Sequence, residues 1–240
     1  MSDQEQDDGS NDAITVERRA VGNFLAGGIT GSILTWGGVK TLSNGSTETE
    51  ASAAEIQLED RPYLGSQSGS ATMVYYMDFQ CPFCKQFEKN TLPQITANYD
   101  PEDLHIVVKP IGELAVDSRR AALAAHCVWE QTGDTATYWN FHKTLGGIYD
   151  SNTESGWAKT EKLAPLVAKY DELDAEKFGA CHSEQRHRIR AVDDKQEADT
   201  FGMSGTPFFI IYGDKLSNAR TISGAQPYGR FETTINQYLE

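Results

Sequence analysis

Apolar runs and amphipathic stretches follow one another along residues 61–240 in an order that predicts a mixed α/β domain. Ala71–Met77 and Leu104–Pro110 are apolar runs of strand length, rich in β-branched and aromatic residues. The stretch between them, from Lys85 to about Asn98, predicts a helix. A strand, a helix and a strand in this order form a βαβ unit, and its crossover connection makes the two strands parallel.

The remainder of this domain predicts a helical insertion and then a return to strands. Helical spacing of apolar residues fills about 114–200, and the strand pattern resumes at Phe208. Five helices are predicted in the insertion: one capped by Asp117 or Ser118 that reaches about Gln131, two over 138–149 and 163–170, a fourth capped by Asp174 and a fifth from Ser183 to Gly202. After the insertion, the pattern predicts strands over 208–212 and 221–225, joined by a Gly213-Asp214 turn, and a closing helix over 228–239. The predicted architecture is a βαβ…ββα sheet domain with an inserted helical region.

The first sixty residues have a different pattern. Residues 1–20 are polar and acidic, and we expect them to be disordered. Residues 21–39 carry no charge and are long enough to cross a bilayer, although they are only weakly hydrophobic. Residues 40–60 are rich in Ser, Thr, Glu and Ala, which predicts a flexible linker to the domain at 61–240.

The uncharged stretch has three interpretations. Arg18-Arg19 precedes it and a single Lys40 follows it, a distribution that places the N-terminus inside and the remainder of the chain outside a membrane. We expect an uncleaved membrane anchor first, a cleaved export signal second and a buried glycine-rich helix third. Either of the first two puts the α/β domain outside the cytoplasm, with the N-glycosylation sequon at Asn44 in an exposed linker.

Acidic residues dominate the charge of the chain. Asp and Glu number 35 against 21 Lys and Arg, so the formal net charge is −14. Because the carboxylates are spread along the whole chain, they predict a solvated acidic surface of the kind found in proteins from a halophilic source. The same balance argues against nucleic acid as a partner, since that partner requires a basic footprint.

Cys81-Pro82-Phe83-Cys84 is the motif that carries chemistry. It follows a predicted strand and opens a predicted helix, where unpaired backbone N–H groups stabilise a thiolate. Cys81 is then the attacking or attacked sulfur and Cys84 the resolving partner. The alternative is half of a zinc site, but a structural zinc site needs four ligands, and the other two cysteines are single and far apart. Redox chemistry without a metal or cofactor is therefore the expectation.

A second landmark, Gly205-Thr206-Pro207, directly precedes the Phe208 strand. Proline at a strand start suits a special geometry such as a cis peptide bond. An ordinary trans proline at a strand edge is the alternative.

The run from Tyr76 to Cys84, the run from Gly205 to Phe208 and the helical insertion between them resemble the DsbA-like thiol-disulfide oxidoreductases of the thioredoxin superfamily. The resemblance covers about residues 60–240. It implies a thioredoxin fold with an inserted helical domain, a monomer, and, with the acidic surface, an origin in a halophilic archaeon. It also implies the site: catalytic Cys81, Cys84 and cis-Pro207, and client contacts at Pro82, Phe83 and the backbone of Thr206.

Two positions depart from this family's pattern. Many relatives keep a buried carboxylate six residues before the first cysteine, where Tyr75 stands here. Asp78 could substitute for it, or could be an ordinary strand-end residue. Strongly oxidising relatives often have a histidine before the second cysteine, where this chain has Phe83, and losing a contact to the thiolate makes the potential less oxidising.

Cys127 and Cys181 fall in the helical insertion, where some members of this family carry a second bridge. An even number of cysteines in an exported chain favours a structural disulfide between them. Two buried free thiols are the alternative.

Three functions are consistent with these features. The first is an extracytoplasmic oxidase that donates the Cys81–Cys84 disulfide to exported proteins and is recharged by a membrane partner of the DsbB or vitamin K epoxide reductase-like type. The second is a reductase or isomerase that acts from the dithiol form. The third is a non-catalytic C-x-x-C metal carrier or client-binding module.

Overall fold

The structure is a computed structural model that describes residues 56–151, 155–213 and 219–239. Within these ranges five strands form one sheet in the order β1-β3-β2-β4-β5. The strands are β1 Tyr63–Gly65, β2 Ala71–Met77, β3 Leu104–Pro110, β4 Phe208–Gly213 and β5 Arg220–Ser223. Strands β2 and β3 are parallel, as the βαβ pattern predicts, and the other neighbours are antiparallel. The predicted disordered segment 1–20, the anchor or signal 21–39 and most of the linker 40–60 lie outside the described residues.

Five of the described helices lie between β3 and β4 and make up the insertion. The helices are α1 Pro82–Asn90, α2 Leu92–Asn98, α3 Val116–Thr132, α4 Thr135–Ser151, α5 Thr160–Val167, α6 Ala175–Ser183, α7 Arg188–Thr200 and α8 Tyr228–Asn236. The insertion thus runs from α3 to α7, and the predicted fold class is confirmed. None of the helices in the described ranges combines the length and the apolarity that crossing a bilayer requires.

The helix predicted over 85–98 is two helices, because the chain breaks at Thr91. Pro93 stands two residues later and has no backbone N–H to continue the hydrogen-bond ladder of α1. The Thr91 hydroxyl instead donates to the carbonyl of Gln226 at 3.0 Å, which ties the break to the segment before α8.

The N-terminus of α3 differs from its prediction. Ala115 is the N-cap, and neither Asp117 nor Ser118 caps the helix. Both side chains reach other segments: Asp117 accepts from the backbone N–H of Gly156, and Ser118 donates to Gln80 Oε1 at 2.8 Å. Two good capping side chains are therefore used for tertiary contacts, which local sequence does not disclose.

The caps of α6 and α7 divide in the same way. Asp174 caps α6 as predicted, accepting from the N–H groups of Glu176 and Lys177 at 2.9 and 3.0 Å. Ser183 was expected to open the next helix, but it is the last residue of α6, and α7 begins at Arg188. The hydroxyl of Ser183 donates back to Ala180 in its own helix, a contact that holds it at a helix end rather than a start.

Strand β1 was not predicted, since its three residues are too few to show an alternation. It pairs antiparallel with β3 and extends the sheet by one edge. At the other edge β5 pairs with β4, as predicted, but ends at Ser223 because Gly224 has φ +78°, which breaks the strand. The predicted Gly213-Asp214 turn extends beyond the described residues at Asp214.

The sheet buries a separate apolar cluster on each face. Met73, Tyr75 and Met77 of β2 belong to the larger cluster, which α1, α2, α8 and much of the insertion cover. Val74 and Tyr76 belong to the smaller one on the opposite face. Within the larger cluster Cys127 of α3 and Cys181 of α6 form a disulfide, with their Cα atoms 6.0 Å apart.

Candidate active site

The two landmarks of the sequence meet at one end of the sheet. Cys81 is the N-cap of α1, with extended backbone, and Pro82 occupies the first helical position, where a missing N–H costs nothing. Thr206 and Pro207 join the insertion to β4 through a cis peptide bond. The two segments are in contact, since Cys81 Sγ lies 3.1 Å from the carbonyl oxygen of Thr206.

Cys81 is a free cysteine whose surroundings favour the thiolate. A hydrogen bond from the Cys84 side chain is the largest cause, and further hydrogen bonds come from Thr206 and from the backbone N–H groups of Cys84 and Phe83. Burial opposes them, and the net result lowers the pKa of Cys81 from 9.0 to about 6. At neutral pH this sulfur is therefore mostly a thiolate.

Cys84 is also free, but its environment has the opposite effect. Its side chain is 1% exposed, and burial followed by the interaction with the Cys81 sulfur raises its pKa far above the ordinary range of a thiol. The surroundings of the pair thus favour a Cys81 thiolate beside a protonated, buried Cys84 thiol.

A groove of about 520 Å³ leads to both sulfurs. Its walls come from the end of β2, from α1 and from α4, and exposed lysines stand on its rim. The lining residues that carry charge or a titratable group are Asp78, Cys81, Cys84, Lys85, Glu88, Lys89, His142, Lys143 and Tyr149. Three lysines beside the thiolate contrast with the net charge of −14 of the whole chain.

The residues predicted to contact a client differ in exposure. Phe83 is 58% exposed, the Pro82 side chain is also on the surface, and Thr206 is half-buried. An exposed aromatic ring next to a reactive sulfur offers apolar contact to an incoming peptide. When Cys81 is a thiolate it no longer donates to the Thr206 carbonyl, which is then available to a peptide N–H.

Of the two alternatives for Asp78, a substitute proton carrier or an ordinary strand-end residue, its contacts favour the second. Its carboxylate is buried and accepts the backbone N–H groups of Gln80, Glu113 and Leu114, at 2.8, 2.8 and 3.0 Å. These bonds hold the loop after β3 against the segment that leads into Cys81.

Sequence reasoning missed two residues that complete the site. The Tyr75 hydroxyl donates to Glu88 Oε1 at 3.0 Å, and His142 Nε2 lies 3.0 Å from the same oxygen. Glu88 could have been noticed, because it follows Cys84 by four residues and so shares its helix face. His142 could not, since it comes from α4 and nothing local in the sequence brings it to α1.

The disulfide in the insertion lies close to a histidine. Cys127, Cys181 and His187 place possible ligand atoms within 4.8 Å of one another, but the two sulfurs are bonded to each other in this structure. His182, adjacent to the disulfide in sequence, contacts the Thr160 hydroxyl and the Arg120 carbonyl at 2.8 and 2.9 Å, which makes it a structural side chain.

A stable thiolate in contact with a protonated partner is the reduced half of a disulfide couple, and a groove gives other thiols access to it. The chain is a thiol-disulfide oxidoreductase. It belongs to the thioredoxin family, since a family model described as Thioredoxin matches residues 57–228.

Individual proteins are similar to this chain over different shares of their own length. Disulfide bond formation protein D of Bacillus subtilis (strain 168) is 24% identical over 200 residues, which cover 82% of this chain and 86% of that protein. The Na(+)/H(+) antiporter NhaA 1 of Salinispora arenicola is 28% identical over 157 residues, 64% of this chain but only 22% of the antiporter. The crystal structure of oxidised BdbD from Bacillus subtilis superposes with a TM-score of 0.65 at 22% identity, covering 76% of this chain and 95% of that one. The last similarity concerns the fold, including its helical insertion.

Proposed function

We propose that the chain oxidises exported proteins by transferring the Cys81–Cys84 disulfide to them. The observation that carries this proposal is the contrast between the two sulfurs, one with its pKa lowered to about 6 and the other buried with its pKa raised. A stabilised Cys81 thiolate stabilises the dithiol form, and a couple whose reduced form is stable is an oxidant.

Each residue of the site has a role in this transfer. A client thiolate attacks Cys81 Sγ, the Cys81–Cys84 bond breaks, and Cys84 leaves and takes up a proton. A second client thiolate then attacks the client sulfur of the mixed disulfide and releases Cys81 as a thiolate, so the client is oxidised by two electrons and the enzyme is reduced by two. Pro82, Phe83, Thr206 and cis-Pro207 form the surface that receives the client strand.

The reduced enzyme needs an electron acceptor, and we propose a membrane partner of the DsbB or vitamin K epoxide reductase-like type. This places the domain outside the cytoplasm of a halophilic cell, held by residues 21–39 as an anchor or delivered by them as an export signal. The disulfide between Cys127 and Cys181 supports an oxidising compartment.

The reduction potential of the full chain, equilibrated with glutathione, tests the direction of transfer. We expect a value well above that of thioredoxin, which is about −270 mV, and towards the more oxidising relatives at about −120 mV. A Cys81→Ser variant should lose all exchange, whereas Cys84→Ser should accumulate mixed disulfides with clients. A potential near that of thioredoxin would contradict the proposed oxidase and favour a reductase.

Labelling of intact cells tests the location. The full chain is expressed in a halophilic host, and the intact cells are first treated with a reductant that cannot cross membranes, because the proposed oxidase keeps Cys81 and Cys84 as a disulfide. Cys81 should then react with a maleimide that cannot cross membranes either, and the mass of the recovered protein should distinguish an anchor from a cleaved signal. Thiols that react only after the cells are broken would place the domain inside.

A further inference from the structure

The buried sulfur of Cys84 must exchange a proton in every catalytic cycle. It leaves as a thiolate when a client attacks Cys81, and it must lose its proton before it can attack a Cys81 mixed disulfide and close the bond again. With 1% of its side chain exposed, this sulfur presents almost no surface to the solvent in the groove. Asp78, the nearest carboxylate in sequence, has three backbone N–H groups on its two oxygens and is committed to them.

Tyr75 is the polar group that meets Cys84 in the interior. It is fully buried in the same apolar cluster as Cys84, and burial first, then the nearby Cys84 sulfur, raise the pKa of Tyr75 well above its ordinary value. The same hydroxyl donates to Glu88 Oε1 at 3.0 Å. A hydroxyl with one neighbour on each side can accept a proton from the first while it gives its own to the second.

Glu88 connects this hydroxyl to solvent. Its side chain is 25% exposed and lines the groove that reaches the sulfurs. His142 Nε2 holds Oε1 from the side of α4, at 3.0 Å, and leaves Oε2 for water in the groove. The His142 ring is itself fixed by aromatic neighbours, with the Phe79 ring 4.8 Å and the Trp139 ring 4.7 Å away, centre to centre.

We propose that Tyr75 and Glu88 form the proton path of Cys84, with His142 as the residue that positions Glu88. When Cys84 leaves, Glu88 takes a proton from solvent in the groove and passes a proton to the Tyr75 oxygen, while the Tyr75 hydroxyl turns from Glu88 to the sulfur and gives up its own proton there. When the disulfide closes again, the proton returns by the same route to Glu88 and then to water. Many relatives have a buried carboxylate at the position of Tyr75 that can move protons for the resolving thiol. In this chain Glu88 of α1 provides the carboxylate, and Tyr75 connects it to Cys84.

Several other charged or titratable groups face this path. Lys85 and Lys89 stand beside Glu88 on α1, and Lys143 and Tyr149 line the same groove from α4. The centres of the Tyr138 and His142 rings are 5.8 Å apart. Tyr138 is buried like Tyr75, but its hydroxyl has no hydrogen-bond partner among the described residues. It therefore offers a matched control for removing a buried hydroxyl from the same cluster.

The inference rests on the exchange at Cys81 and Cys84 proposed above, and a two-phase reaction separates the two. The reduced full chain is mixed with one equivalent of 5,5′-dithiobis(2-nitrobenzoate). Attack by Cys81 breaks the reagent disulfide, releases one thionitrobenzoate and leaves the other on Cys81. Attack by Cys84 on that mixed disulfide then releases the second and forms the Cys81–Cys84 bond, so each phase reports on one sulfur.

Tyr75→Phe and Glu88→Gln should slow the second phase about tenfold or more, with the first phase unchanged. Tyr138→Phe should leave both phases at the wild-type rate, and His142→Phe, which keeps the ring packing, should shift the pH profile of the second phase. If Glu88→Gln and Tyr75→Phe both keep the wild-type second phase, the path is wrong. Loss of the first phase in the wild-type chain would instead contradict the exchange itself. Glu88→Gln alters a partly exposed side chain, so it decides the matter even if Tyr75→Phe does not fold.

Discussion

Two consecutive tyrosines of β2 make the same kind of contact on opposite faces of the sheet. Tyr75 donates its hydroxyl to Glu88 on one face, and Tyr76 donates its hydroxyl to Glu197 on the other. The first pair adjoins the Cys84 thiol and opens to a groove. The second belongs to an ion-pair network with Lys109, whose ammonium group pairs with both Glu197 and Asp194.

The surroundings, rather than the pair, decide what a tyrosine-glutamate contact does. On the face of Tyr76 the countercharges are complete, since Arg61 also donates to Asp194 at 2.8 Å, and Arg61, Lys109 and Asp194 are all buried. Such a network holds the sheet to α7 and has no proton to deliver. On the face of Tyr75 a reactive sulfur lies at one end and water at the other, so the same contact can take part in chemistry.

The largest effect is expected from a substitution that breaks the ion-pair network around Asp194. Asp194→Asn keeps the shape of the side chain but leaves Arg61 and Lys109 with Glu197 alone. Loss of one partner from a buried ion pair should lower the free energy of unfolding by about 3–5 kcal/mol. Urea unfolding measures this loss, and the Cys81–Cys84 potential should not move.

The matched control for that variant is an exposed ion pair. Glu161→Gln removes the partner of Lys159 at the surface, where both side chains are largely exposed, and should cost less than about 1 kcal/mol. The contrast between the two faces fails if Asp194→Asn costs no more than this control, or if it changes the potential.

One pH dependence should belong to the face of Tyr75 and the sulfurs and not to the face of Tyr76. Because folding lowers the pKa of Cys81 from 9.0 to about 6, the dithiol form gains stability as pH rises from about 6 to about 9 and loses it as pH falls through that range. Urea unfolding of the dithiol protein across this interval, compared with Cys81→Ser, measures the effect. Asp194→Asn should shift the whole wild-type curve without changing its slope here, and a Cys81→Ser curve parallel to the wild type would contradict the lowered pKa.

The smallest effect concerns the lysine rim of the groove. Lys143→Gln should slow the reaction of Cys81 with the dianionic nitrobenzoate disulfide about two- to threefold at low salt, and the difference should vanish at high salt. Lys177→Gln, at an exposed lysine of α6, is the control and should react at the wild-type rate. A difference that persists at high salt would mean that Lys143 acts by contact rather than by its field.

Local sequence patterns were sufficient to predict much of the sheet and the start of α1, the helix that carries the reactive cysteines. The apolar runs of β2, β3 and β4 are each buried throughout or nearly so, and such runs are visible without knowledge of their neighbours. They were not sufficient where a side chain had two possible uses. Asp117 has the chemistry of a cap but accepts from the backbone N–H of Gly156 across the insertion, and the Thr91 hydroxyl donates to a carbonyl 135 residues away.

The sequence alone determined the two thiols, their place at a helix N-terminus and the proline that precedes β4, because each of these follows from spacing within a few residues. The tertiary structure decided how the pKa values of the two thiols differ and which side chains surround them. The lowered pKa of Cys81 depends first on Cys84 and then on Thr206 from a distant segment, and the Tyr75–Glu88–His142 contacts join a strand to two helices. Short-range periodicity fixes which face a residue occupies, but only packing fixes which residues from distant segments share that face.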